Sequence, residues 1–186
     1  MRVLASSIRD TTDFIQLVEK TILPEECILA TLDVSSLYTN IPHTEGKHTA
    51  MKALNAIENP DPRQPPAEVI GELIDIVLHN NVFEFNSNYY LQIQGTAMGT
   101  KMAPVYSNLF MGDVEPKLQA LGHNHIMVWK RFIDDIFIIW KGTKVEFLEY
   151  MDRINTIHHS IKFTYECSEQ EMDFLDATLF NYWGGK

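Results

Sequence analysis

The stretch that decides the fold is IMVWKRFIDDIFIIW, residues 126–140, in which Asp134 and Asp135 interrupt an otherwise apolar run. Both flanks are rich in Ile, Val, Phe and Trp and have the length of a strand. A chain that turns at the two aspartates would form a tight hairpin with both carboxylates at its tip. Ionised groups are costly in apolar surroundings unless they are paired or bind a metal. The arrangement therefore suits a divalent-cation site that handles phosphates. A polar turn between two strands is the alternative, because Asp is a common turn residue.

The composition is typical of a globular domain with an excess of acidic residues over basic ones. A length of 186 residues suits one domain, and a hydrophobic content of 45% is ample for a packed core. The net charge of -10 argues against a self-sufficient nucleic-acid binder, which normally presents a basic face. Cys27 and Cys167 have no partner at metal-ligand spacing, so we expect reduced thiols in an intracellular protein.

The apolar pattern predicts an order of helices and strands along the chain. Residues 27–34 read as a buried strand that ends at Asp33. A helix-rich insertion, residues 42–94, follows, with helices over 44–57 and 69–78 and a hairpin over 82–93. The remaining predicted elements are a helix over 104–118, the two strands around Asp134, a helix over 144–159 and strands over 161–167 and 172–182.

This order predicts an α+β fold. With residues 42–94 set aside, the elements from Ile28 onwards read β-α-β-β-α-β plus a final strand. Such an order is typical of the ferredoxin-like arrangement, an antiparallel sheet with two helices packed on one face. In it the end of the first strand lies beside the tip of the middle hairpin. We therefore expect Asp33 to approach Asp134 and Asp135, although they are far apart in sequence.

Three carboxylates that converge at strand ends can hold two Mg²⁺ ions, which prefer oxygen ligands and share them with substrate phosphates. One ion would lower the pKa of a primer 3'-hydroxyl, and the other would bind a triphosphate and stabilise the leaving pyrophosphate. The chemistry expected of Asp33, Asp134 and Asp135 is in-line nucleotidyl transfer.

Three blocks give the sequence a family resemblance. They are DVSSLYTNIP at 33–42, QGTAMGTKMAP at 94–104 continuing into NLF at 108–110, and RFIDD at 131–135. In this order they resemble motifs A, B and C of a reverse transcriptase palm. They are most similar to those of Penelope-like retroelements, which are related to telomerase reverse transcriptases. The segment DFLD at 173–176 stands where the primer-grip region of that family would be.

The resemblance implies a metal site. Asp33 and Asp134 would be the principal ligands, Asp135 a third ligand, and the Val34 carbonyl a further oxygen donor. These ligands would hold two Mg²⁺ ions, which Mn²⁺ can replace, and the three aspartates would be the catalytic residues.

The resemblance also implies a nucleotide pocket. Tyr38 would lie under the incoming sugar and exclude a 2'-hydroxyl, the group that distinguishes ribonucleotides from deoxyribonucleotides. Gln94 and Gly95 would line the pocket, where glycine permits a close approach of the backbone. Lys162 is a candidate for protonating or neutralising the pyrophosphate, although its motif match is poor.

Nucleic-acid contacts are implied for Lys101, Phe174 and Leu175, with an RNA template, a DNA primer and a dNTP as partners. The resemblance implies an intracellular, nuclear protein encoded by a retrotransposon. We expect residues 1–186 to be a partial palm, because the basic fingers segments that normally precede motif A and the thumb that normally follows are not present. Those parts, and an endonuclease domain, would belong to a longer polyprotein.

Two interpretations compete with an RNA-directed DNA polymerase. A remnant or host-adopted palm would have lost catalysis and would serve as a binding or scaffold module. A two-metal nuclease explains the carboxylates but not Tyr38 or the Gln94-Gly95 block. Single residues also have structural alternatives, since Tyr38 would suit a core or rim position and Lys101 a solvated loop.

Overall fold

The computed structural model describes residues 5–24 and 27–181 and divides the chain into two compact units. Residues 36–114 form the first unit, and the residues up to Ser35 together with those from Glu115 onwards form the second. Within the described ranges no helix is long and apolar enough to cross a membrane. The elements are, in chain order, α1 (Thr11–Val18), β1 (Ile28–Val34), α2 (Leu37–Asn40), α3 (His43–Asn55), α4 (Ala67–His79), β2 (Val82–Phe85), β3 (Asn88–Leu91), α5 (Ala103–Leu121), β4 (Ile126–Phe132), β5 (Asp135–Trp140), α6 (Lys144–Ile157), β6 (Phe163–Ser168), β7 (Glu171–Phe174) and β8 (Ala177–Phe180).

A four-stranded sheet forms the centre of the second unit. Its strand order is β4-β5-β1-β6, and each neighbouring pair is antiparallel. The two strands that follow directly in sequence, β4 and β5, form a hairpin, and β1 lies between β5 and the last strand of the sheet. This is the ferredoxin-like arrangement, so the predicted fold class is confirmed.

The part of α5 that belongs to the second unit, from Glu115 onwards, and α6 pack on one face of this sheet. Phe147 of α6 contacts the ring of Trp140, with centroids 5.6 Å apart, and the ring of Tyr165 at 5.8 Å. Glu115, in the second half of α5, accepts hydrogen bonds from Trp129 and Arg131 of β4. Residues that pair across antiparallel strands share a face, and the registers of β4, β5, β1 and β6 put these strand residues on the same side.

The opposite face of the sheet is covered by α1 and by the hairpin of β7 and β8. Phe14 of α1 packs against Phe137 of β5, with ring centroids 4.9 Å apart, and against Phe174 of β7 at 4.7 Å. This core also contains the buried side chains of Ile8, Cys27, Leu29, Ile139 and Met172. Both faces of the central strands are therefore buried.

The prediction of one strand over 172–182 is corrected by the structure. The segment folds as two short strands that pair with each other, β7 and β8, in a separate sheet. The chain reverses at Leu175, whose φ of 52° lies in the left-handed region that β-strands do not use. The predicted end of that strand, Tyr182, lies outside the described residues.

The first unit contains the predicted insertion. Its two helices are α3 and α4, and its hairpin is β2 paired with β3, which agrees with the elements expected between residues 42 and 94. Two loops of this unit are joined by backbone hydrogen bonds. Gly95 N–H donates to the Ile41 carbonyl at 3.0 Å, and Thr96 N–H donates to the Tyr38 carbonyl at 2.7 Å.

Glycine is required where these loops meet. Gly95 has a φ of 73°, and a Cβ atom there would lie 2.4 Å from the Tyr38 carbonyl oxygen and 2.5 Å from Thr39 Cα. Those atoms belong to the backbone and cannot rotate away. The loop that begins with Gln94 therefore approaches α2 more closely than any residue with a side chain allows.

Gly95→Ala should destabilise the chain by at least about 2 kcal/mol. The change adds the cost of a left-handed alanine, about 1–2 kcal/mol, and that of overlap with backbone atoms, about 1–3 kcal/mol. Chemical denaturation followed by circular dichroism measures the loss. Gly99→Ala is the matched control, because Gly99 also has a positive φ, 95°, but its Cβ would meet nothing within 4 Å. Equal losses in both variants would contradict the close approach.

Candidate active site

Three carboxylates meet at one end of the central sheet. Asp33 of β1 lies directly opposite Asp135 of β5 in the strand register. Asp134 precedes β5, and its carbonyl accepts a hydrogen bond from Val34 N–H at 3.1 Å. The structure thus brings together all four residues that the sequence proposes as metal ligands.

The turn that presents the carboxylates is short and strained. Phe132 pairs with Asp135, so that only Ile133 and Asp134 connect β4 to β5. The turn therefore begins one residue earlier than Asp134-Asp135. Ile133 has a φ of 56°, a left-handed conformation that is a genuine outlier for a β-branched residue. Such strain persists only where the surroundings hold it, and it is found most often at functional sites.

A shallow cavity of about 210 Å³ lies beside Asp33 and Asp135. Thr164 and Glu166 of β6 also line it. Thr164 pairs with Asp33 across the β1–β6 ladder, and Glu166 lies two residues further along the same face. Sequence reasoning did not single out these two side chains. The signal that could have found them is the alternation of β6, which places residues 164 and 166 on the face that carries Asp33.

The surroundings of the site raise the pKa of Asp33 and of Asp135. The pKa of Asp33 is raised by partial desolvation and then by the charge of Asp134. The pKa of Asp135 is raised by partial desolvation and by the charges of Asp134 and Asp33. Both side chains remain accessible to solvent, which screens part of this repulsion. In the part of the chain that the structure describes, no ion pair involves any of the three.

This donor set fits divalent cations such as Mg²⁺. The oxygens belong to the ligand type that Mg²⁺ prefers, they are held at adjacent strand ends, and among residues 5–24 and 27–181 no lysine or arginine forms an ion pair with them. Asp33, Asp134 and Asp135 would hold the ions, and the Val34 carbonyl is close in the chain to Asp33.

Three of the residues proposed for the nucleotide pocket, Tyr38, Gln94 and Gly95, come together within the first unit. The Tyr38 carbonyl accepts from Thr96 N–H, next to Gly95. Gln94 Nε2 donates to the Asn40 carbonyl at 3.2 Å, which joins the same two loops. Lys101 is exposed in the turn that precedes α5.

Three other predicted site residues, Lys162, Phe174 and Leu175, have structural roles. The Lys162 ammonium group donates to the carbonyls of Asn155 and His158 at the end of α6, where a cation stabilises the last turn. The Phe174 side chain is only 4% exposed and belongs to the core, so a contact with nucleic acid at this position would have to come from the backbone. Leu175 packs at the edge of the same core.

Solved structures that resemble the chain are polymerases. Apo telomerase from Candida tropicalis superposes with a TM-score of 0.70 at 12% identity, over 94% of this chain and 36% of the telomerase chain. The form truncated from its C-terminal domain gives a TM-score of 0.66 at 14% identity, over 94% of this chain and 39% of the other. The RNA-dependent RNA polymerase of BmCPV at the quiescent state gives 0.63 at 11% identity, over 95% of this chain and 18% of the viral one.

These similarities establish the fold, and the chain spans well under half the length of each of these proteins. Comparison with curated protein sequences gave no match. The family described as reverse transcriptase (RNA-dependent DNA polymerase) matches residues 4–168, a range that includes all three blocks and all three clustered carboxylates. The chain therefore belongs to the reverse transcriptase (RNA-dependent DNA polymerase) family.

Proposed function

We propose that the chain is the palm of an RNA-directed DNA polymerase and catalyses nucleotidyl transfer from a dNTP to a primer 3'-hydroxyl. The observation that carries the proposal is the pairing of Asp33 with Asp135 beside Asp134, at the end of a sheet of the ferredoxin-like type. Two Mg²⁺ ions, or Mn²⁺ in their place, would be held by these carboxylates and the Val34 carbonyl. When bound, such ions lower the pKa of an attacking hydroxyl and neutralise phosphate charge.

The contribution of the chain itself is positioning. β1 and β5 are buried strands, so the carboxylates at their ends are carried on rigid elements and need little reorganisation when a substrate binds. Tyr38 would select against the 2'-hydroxyl, and Gln94 and Gly95 would line the nucleotide pocket. Hydrogen bonds join the loop that begins with Gln94 to the segment around Tyr38, and this supports a joint role of both segments in the nucleotide pocket.

Finer features of the proposal rest on the motif blocks. Their similarity to Penelope-like retroelements supports a retrotransposon origin, an RNA template, a DNA primer and a nuclear location. The acidic balance of the chain, with a net charge of -10, supports the view that fingers and thumb segments supply the grip on nucleic acid. A non-catalytic scaffold is the alternative outcome of the tests below.

Mn²⁺ or Mg²⁺ should raise the melting temperature of the chain. A ligand that binds only the folded state stabilises it, by about 2.7 kcal/mol at a hundredfold excess over its Kd. Asp134→Asn should abolish the rise, because it removes a charged ligand. Asp152→Asn, at an exposed position of α6, is the matched control and should leave the rise unchanged. Thermal unfolding with and without the cation measures the effect, and an unaltered rise in Asp134→Asn would contradict the metal site.

Asp33→Asn should stabilise the cation-free chain at neutral pH. The raised pKa of Asp33 means that folding favours its protonated form. Its contribution to stability is present below the unfolded pKa, near 3.8, and is lost as the pH rises through the higher folded pKa. The asparagine variant has no such loss, so its advantage should appear as the pH rises above the unfolded pKa, remain below about 1 kcal/mol because the site is exposed, and vanish in acid.

Urea denaturation in EDTA across this pH range measures the difference. Asp152→Asn again serves as the control and should parallel the wild-type chain. A wild-type chain that is more stable than Asp33→Asn at pH 7 without divalent cations would show that the carboxylates do not repel one another.

Tyr38→Ala should increase ribonucleotide incorporation. In a longer chain that includes fingers and thumb, loss of the ring would open room for the 2'-hydroxyl, and a steric contact of this size changes discrimination about 10–200-fold. Primer extension on an RNA template with paired dNTP and rNTP substrates gives the ratio. Tyr38→Phe keeps the ring and should keep the discrimination. If alanine leaves the ratio unchanged, Tyr38 is a packing residue.

A further inference from the structure

A buried polar cluster lies behind the carboxylate turn and consists of Ser6, Glu115, Trp129 and Arg131. The side chains of Arg131 and Glu115 are 0% and 3% exposed. Arg131 Nε donates to Glu115 Oε1 at 2.8 Å, and Trp129 Nε1 donates to the same oxygen at 2.9 Å. Ser6 Oγ donates to Glu115 Oε2 at 2.6 Å. Both oxygens of the buried carboxylate therefore have partners, as a buried charge requires.

The same arginine reaches the turn. Arg131 Nη1 donates to the Ile133 carbonyl at 2.8 Å. The guanidinium group is planar and carries five donors in a fixed fork, so it can serve the Glu115 carboxylate and the Ile133 carbonyl at once. A lysine ammonium group lacks this planar fork and would not hold the two acceptors in the same fixed geometry.

The backbone around the turn is held from two other sides. Arg131 N–H donates to the Ser6 carbonyl at 2.7 Å, and Ile8 N–H donates to the Arg131 carbonyl at 3.0 Å. Across the sheet, the Asp134 carbonyl accepts from Val34 N–H. Ile133 lies between these anchors with its φ of 56°. Its carbonyl is the group that the Arg131 side chain holds, and a left-handed β-branched residue needs such support.

We propose that Arg131 and Glu115 are positioning residues for the carboxylate site. Glu115 fixes the direction of the guanidinium group, the guanidinium group holds Ile133 in its left-handed conformation, and Asp134 and Asp135 are thereby presented for cation binding. The inference rests on the proposed function only in that these aspartates bind divalent cations. Groups that orient the ligands of a metal typically change its affinity about 10–100-fold when they are replaced.

Mn²⁺ binding to the 186-residue chain tests the proposal. Free Mn²⁺ is measured by electron paramagnetic resonance during a titration, and the melting temperature of each variant is recorded without Mn²⁺. Arg131→Lys keeps the positive charge but loses the planar fork of donors that serves both acceptors, so its Kd for Mn²⁺ should rise about tenfold or more. Arg131→Met leaves the Glu115 carboxylate buried and unpaired, and should lower the melting temperature as well.

The double variant Glu115→Gln/Arg131→Met separates positioning from stability. It removes both buried charges, and the amide oxygen introduced by Glu115→Gln can still accept from Trp129. Its melting temperature should therefore exceed that of Arg131→Met alone. Its Kd for Mn²⁺ should remain about tenfold or more above the wild-type value, because the Ile133 carbonyl still lacks its donor. Ile154→Ala, in the buried face of α6, is the control that destabilises the chain without touching the turn and should keep wild-type Mn²⁺ affinity.

The outcomes are distinguishable. Wild-type affinity in both Arg131→Lys and the double variant would overturn the positioning role and leave the pair with a structural role only. Equal loss of affinity in Ile154→Ala would overturn it too, since general destabilisation would then explain the effect. If the wild-type chain shows no Mn²⁺ binding that depends on Asp134, the proposed function fails and the inference fails with it.

Discussion

The antiparallel pairing of β1 with β5 is the constraint on which the rest of the site depends. It sets Asp33 opposite Asp135, and the register is fixed by the buried apolar residues that precede Asp33 and follow Asp135. Side chains alternate between the two faces of a strand, so a shift by one residue would turn one carboxylate towards the opposite face, on which α6 packs. The hydrophobic core therefore determines where the charged groups lie, and the geometry of the site is a consequence of packing.

The same end of the sheet works against folding in two ways. Three carboxylates share it, and none of them forms an ion pair within the described residues; partial desolvation and then their neighbouring charges raise the pKa of Asp33 and Asp135. The turn beside them places a β-branched residue in a left-handed conformation. Neither feature stabilises the cation-free chain, and both are tolerated because most residues of β1 and β5 are buried in the core. Residues whose charge or backbone conformation conflicts with an otherwise consistent fold are expected at functional sites.

The central sheet could be predicted from sequence because its strands are long, apolar and separated by clear helical patterns. The order of the elements then predicted that Asp33 approaches Asp134, a proximity that no local pattern reveals, and the family blocks implied the same site. The packing of α1 and of the β7–β8 hairpin on the opposite face of the sheet could not be predicted in the same way. The segment 173–176 resembles a primer-grip region, and this resemblance did not indicate that Phe174 belongs to the core. Leucine is also not a residue type that predicts the left-handed turn found at Leu175. Glu115 stands in a helix beside Pro116, where a carboxylate normally faces solvent, so its buried partner Arg131 could not be inferred from spacing.

The buried ion pair also constrains how relatives of this chain can diverge. Loss of either partner leaves an uncompensated buried charge, which typically costs about 3–5 kcal/mol, whereas apolar replacement of both is often tolerated. A lineage that exchanges the pair must pass through an intermediate of low stability or first acquire a stabilising substitution elsewhere. Positions 115 and 131, 16 residues apart and on different elements, should therefore change together in related sequences. The helix that continues the second motif block and the strand that leads into the third would thus evolve as one unit.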